Sequence, residues 1–111
     1  MIIHKELAAG RWFELSLMEQ LANVGSDIER TIKWKKKGNL EYSQQAFERA
    51  LELLDLTIAD PKNRNRLKEP VRMRELLVDY FMYNNIYGST DALWQNYFYC
   101  FTHAAALQRG R

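Results

Sequence analysis

The sequence predicts an all-α protein folded as an antiparallel up-down-up-down four-helix bundle, and three observations lead there. Apolar residues recur at helical spacing in four stretches, Gly38, Pro61 and Gly88 separate those stretches, and the connections are short enough to join neighbouring helices. With 111 residues, 47% hydrophobic and 27% charged, positions 1–111 are expected to form a single domain that buries one core without metal or disulfide.

The first helix is expected from about Arg11 to Lys37, because Phe13, Leu17, Leu21, Val24, Ile28 and Ile32 follow one another at steps that keep them on one face. Lys33, Lys35, Lys36 and Lys37 then meet the negative end of the helix dipole, and Gly38 supplies the stop. Gly25 lies inside this helix at a propensity cost of about 1 kcal/mol, which suggests close packing against a neighbour. A second helix, Leu40 to Ala59, sets Phe47, Ala50, Leu51, Leu54 and Ile58 opposite Glu48, Arg49, Glu52 and Asp55. It ends at Asp60, since a residue before proline is pushed out of the helical region. Lys62 to Glu69 is polar and basic and reads as a loop, after which Pro70 suits the first turn of a third helix. That helix directs Met73, Leu77, Tyr80 and Phe81 inward and ends near Asn84 and Asn85. Ser89, Thr90 and Asp91 offer capping oxygens to a fourth helix, which carries Trp94, Tyr97, Phe98, Phe101 and Ala105 at helical spacing and fades at Gly110.

The net charge of +2 does not by itself imply nucleic-acid binding, but its distribution is uneven. Alternating helices bring the Lys62 to Lys68 loop, Arg11, Arg109 and Arg111 to one end of the bundle, and Lys33 to Lys37 to the other end, near Ser89. The stronger end gives the candidate binding residues, Lys62, Arg64, Arg66, Lys68, Arg72 and Arg74, which could hold RNA or DNA phosphates without reading bases. Tyr83, Tyr87 or Trp12 would then stack on unpaired bases. The competing reading of the same segment is a solvated loop.

Most of the aromatic residues crowd between Tyr80 and Phe101, more than one helix face holds. A second buried surface is therefore expected, with homo-oligomerisation through Trp94, Tyr97, Tyr99 and Phe101. Catalysis is not expected. No Glu precedes a His by three residues as a di-metal bundle requires, one Cys and two His are too few for a zinc site, and no cofactor motif is present. The HEPN ribonucleases carry an Arg followed four to six residues later by a His, and no Arg stands among Gln95, Asn96, Tyr97, Phe98 and Tyr99 before His103. Cys100, embedded in rings, is expected to be a small buried hydrophobe beside a partly exposed His103. A single Cys, no signal-like apolar run at the N-terminus and no stretch of about 20 apolar residues together predict a cytoplasmic protein outside the membrane.

The stretch KKKGNLEYSQQAFERALELL followed by DPKN resembles part of a tetratricopeptide repeat, but a repeat needs stacked copies to bury its faces and no second copy is present. Taken in order, RWFELSLMEQLANVGSDIERTIKW, AFERALELLDLTIADPKNR, RELLVDYF and YGSTDALWQNYFYCF resemble a group of small prokaryotic helical proteins. These are similar in type to proteins encoded in ribosomal RNA intervening sequences, to retroelement accessory proteins and to the helical partners of minimal nucleotidyltransferases. The resemblance implies a non-catalytic accessory subunit, often oligomeric and basic, that partners nucleic acid or an enzyme such as a nucleotidyltransferase or toxin.

Overall fold

Four helices carry the chain in the computed structural model, which describes residues 10–109, and no strand occurs among the described residues. They are α1 (Leu17–Lys36), α2 (Leu40–Ala59), α3 (Lys68–Met82) and α4 (Asp91–Arg109). The chain ahead of α1 departs from expectation. Arg11–Glu14 forms a short 3-10 turn and Leu15 is extended, so the helix begins at Leu17 and not at Arg11. The cause is a capping box. Ser16 Oγ accepts from Glu19 N at 3.2 Å and Ser16 N donates to Glu19 Oε1 at 3.1 Å, satisfying two N–H groups at the helix start.

The other boundaries follow local chemistry. Gly38 takes φ 79° after α1, Asn39 Oδ1 accepts from Tyr42 N at 3.0 Å to start α2, and Asp60 ends α2 before Pro61. Pro61–Asn63 forms a second 3-10 turn, and α3 starts at Lys68, earlier than the expected Pro70. It ends at Met82, short of Asn84, because the chain folds back onto Asp79, whose carboxylate accepts from Ile86 N at 3.0 Å and Tyr87 N at 3.2 Å. Thr90 Oγ1 accepts from Leu93 N at 3.1 Å at the start of α4.

α1 is the central helix, packed along α2 and α4, while α2 meets α3 over a shorter seam and α3 and α4 hardly approach one another. Side-chain contacts between neighbours run in opposite order along the two helices. Gln20 near the start of α1 reaches Asp60 after α2, whereas Ser43 near the start of α2 donates to the Thr31 carbonyl. Between α1 and α4, Ser16 donates to Gln108 and Lys35 to Asp91. The core joins Leu21, Val24, Ile28 and Ile32 of α1 to Phe47, Ala50 and Leu54 of α2, Met73 and Leu77 of α3, and Trp94 and Phe98 of α4. On α2 the buried stripe passes through Leu53 and Thr57, leaving Leu51 and Ile58 half-buried. Gly25 marks the closest approach of α1 and α4, since a Cβ there would lie 2.8 Å from Phe98 Cβ. No helix among the described residues is long and apolar enough to cross a membrane.

Candidate functional site

A buried polar network fixes the turn that leads into the basic segment. Gln20, fully buried, donates from Nε2 to the Trp12 carbonyl at 3.1 Å and to Asp60 Oδ2 at 2.8 Å. Its Oε1 accepts from Asn63 Nδ2 at 2.8 Å, and the same Nδ2 donates to the Thr57 carbonyl at 3.0 Å. Trp12 Nε1 donates to Thr57 Oγ1 at 3.2 Å, tying in the N-terminal turn. Burial alone would raise the Asp60 carboxyl, but the hydrogen bonds from Lys62 and Gln20 outweigh it and hold the group below the usual carboxylate range.

This network decides which expected binding residues remain available. Lys62 is ion-paired to Asp60 and also donates to the Phe13 carbonyl at 3.1 Å, so its charge is answered within the chain although its side chain is exposed. Arg74 pairs with Asp55 at 2.7 Å. Arg64, Arg66 and Lys68 are exposed, and no ion pair among the described residues engages them. Arg72 lies over the Tyr87 ring at 5.8 Å with its charge unpaired. Six expected residues thus reduce to Arg64, Arg66, Lys68 and Arg72. The opposite basic end is divided in the same way. Lys33 and Lys37 lie over the Trp34 ring at 5.5 and 5.2 Å, and Lys35 bonds Asp91 at 3.0 Å, which with Tyr80 offsets its burial and raises its pKa.

Arg66, Lys68 and Arg72 converge on one cleft of about 520 Å³. Its apolar lining comes from Leu17, Met18 and Leu21 of α1 and Phe101 of α4. α3 opens here with no side-chain cap, so its first N–H groups add the positive end of the helix dipole to the three cations. The acid on this rim, Glu69, accepts a hydrogen bond from the Tyr97 hydroxyl across the gap to α4. A second cleft of about 310 Å³ continues along the same gap, sharing Glu69 and Arg72 and reaching Leu93, Trp94 and Tyr97.

The expected oligomer surface is largely interior. Trp94 is 2% exposed, Tyr97 and Phe101 are half-buried against the core, and of that set only Tyr99 stands out in solvent. Tyr80, Phe81 and Phe98 also pack within the chain, so one bundle holds most of the rings that suggested a second buried surface. Tyr83 and Tyr87 remain exposed with Ile86, around a groove on the outer side of α3. Cys100, expected inside, is exposed, because it shares the solvent side of α4 with Tyr99 and His103, whose rings stack 6.2 Å apart. Of the rings expected to stack on bases, Trp12 is buried and Tyr87 lies under Arg72, while Phe101, not among them, lines the cleft with Arg66, Lys68 and Arg72. The Arg109 side chain and Arg111 lie outside the described residues. Among the described residues no three His, Cys, Asp or Glu side chains converge as metal ligands would. Comparison with protein-family models, with curated proteins and with solved structures finds no match to this chain.

Proposed function

We propose that the chain is a non-catalytic, cytoplasmic binding protein whose basic end holds the phosphates of RNA or DNA. The observation that carries this reading is the convergence of Arg66, Lys68 and Arg72 on one cleft, three cations against the single carboxylate of Glu69, at an uncapped helix N-terminus. Arg64, exposed two residues before Arg66, adds a further cation at the end of the turn. Contacts of this kind position a phosphate backbone and carry no sequence preference. Anisotropy of a labelled oligonucleotide should show affinity falling steeply with added salt, and Arg66→Glu or Lys68→Glu should each weaken binding and lower the salt slope by about one. Undetectable binding of both RNA and DNA at low ionic strength would overturn the reading.

A second reading, a subunit that assembles with copies of itself or with an enzyme such as a nucleotidyltransferase or toxin, draws support from a different surface. Ile86 is 76% exposed and Tyr83 71%, beside Val71, Val78 and Tyr87 around a groove of about 630 Å³. Under that reading the partner covers the outer side of α3 rather than Trp94, Tyr97, Tyr99 and Phe101.

A further inference from the structure

We infer that the cleft beneath the basic rim receives an unpaired nucleobase, which makes single-stranded nucleic acid the preferred substrate; this rests on the phosphate-binding reading and narrows it. The cleft is a gap between helices, with α1 and α4 supplying its apolar lining and the start of α3 its cations. Leu17 and Leu21 are already covered, whereas Met18 and Phe101 are only half-buried, leaving a thioether and a ring open beside Arg66, Lys68 and Arg72. Its size, about 520 Å³, falls within the roughly 300–1,000 Å³ of sites that enclose small ligands.

The combination restricts the occupant. Phosphate alone would answer the cations and leave the apolar lining wet. A purely apolar ligand would cover the lining and leave three cations unanswered, and a cationic one would meet a rim whose acid, Glu69, is already engaged by Tyr97. A nucleotide in a single strand brings both parts, a flat apolar face to stack on Phe101 and a phosphate for the rim. Bases within a duplex are paired and stacked, so a duplex offers this end only its phosphates.

The test compares two labelled probes by anisotropy at low ionic strength, an oligo(dT) strand of about a dozen nucleotides and a duplex of equal strand length. Wild-type protein should bind the single strand about tenfold more tightly or better. Phe101→Leu, which keeps an apolar side chain and removes the ring, should bring the ratio of the two affinities close to one, with an unchanged helical circular dichroism spectrum showing that the fold is intact. Tyr42→Ser, at the far end of the bundle, should leave the ratio as in wild type. Equal affinity for both probes, or a ratio unmoved by Phe101→Leu, overturns the inference and leaves phosphate binding standing. Failure to bind either probe overturns the inference, and if an oligo(U) strand and an RNA duplex also fail to bind, the phosphate-binding reading falls with it. Should Phe101→Leu alter the spectrum, Met18→Ala gives the same reading, and a ratio it leaves unmoved is equally fatal.

Discussion

Where α1, α2 and the Pro61–Asn63 turn meet, nearly every buried polar atom has a partner; where α3 faces α4, the molecule leaves gaps. At the first junction Trp12 Nε1, both ends of the Gln20 amide and the Asn63 Nδ2 are all hydrogen-bonded. At the second, the buried Trp94 Nε1 has no partner, at a cost of about 1–3 kcal/mol, and two contacts link the helices through tyrosine hydroxyls. One is Tyr80 to Asp91 at 2.6 Å and the other is Tyr97 to Glu69. The contrast separates two jobs within one small fold. The satisfied junction holds the turn whose continuation carries Arg64, Arg66 and Lys68, and the loose seam supplies the space those cations border.

The contrast is broken most severely by Gln20→Ala. Removing that amide deprives Asp60 of a donor, Asn63 of an acceptor and the Trp12 carbonyl of one of its two donors, all in the interior. At about 1–3 kcal/mol for each buried group left short, the variant should lose about 3 kcal/mol or more in urea unfolding. A loss near zero would mean that this junction does not hold the turn. Gly25→Ala probes the α1–α4 contact and should cost less. Its new methyl would sit 2.8 Å from Phe98 Cβ and 2.9 Å from the ring, an overpacking of about 1–3 kcal/mol offset by about 1 kcal/mol of helix propensity. A more stable Gly25→Ala would show that α4 can move away freely, and the tightness of this seam relative to its α3 neighbour would be an illusion.

How much was legible follows from which forces were local. The α2 boundaries were readable because Asn39 and Asp60-Pro61 act on adjacent backbone, and the meaning of Gly25 was readable because little else tolerates such contact. The start of α1 was also written locally, in Ser16 and Glu19, but an unbroken apolar period through Phe13 concealed it. The basic segment could be located, yet its division into engaged and free charges could not, since Asp60 and Asp55 reach Lys62 and Arg74 only after α2 and the turn have folded. Phe101 as a cleft wall was hidden for the same reason. Its neighbours there, Leu17 and Arg66, are far from it in sequence, and counting rings along one helix overstated what must lie outside.

The smallest expected effect sharpens the comparison at the seam itself. Tyr97→Phe removes the hydroxyl that bridges α4 to Glu69 and keeps the ring that packs beside Trp94 at 5.5 Å. Glu69 is exposed, so at neutral pH the lost bond should cost less than about 1 kcal/mol. Burial first, and then the bond to Glu69, hold the Tyr97 phenol well above its ordinary range. The folded state therefore favours the neutral hydroxyl. Its contribution is complete below the unfolded value of about 10 and drains away as the pH rises from there toward the folded value. In urea titrations the wild type should consequently lose stability relative to Tyr97→Phe above about pH 10, with the other tyrosines cancelling between the two proteins. A stability difference that stays constant across that range would show that the hydroxyl does not bridge the seam, and α3 and α4 would then be held only through their packing on the rest of the core.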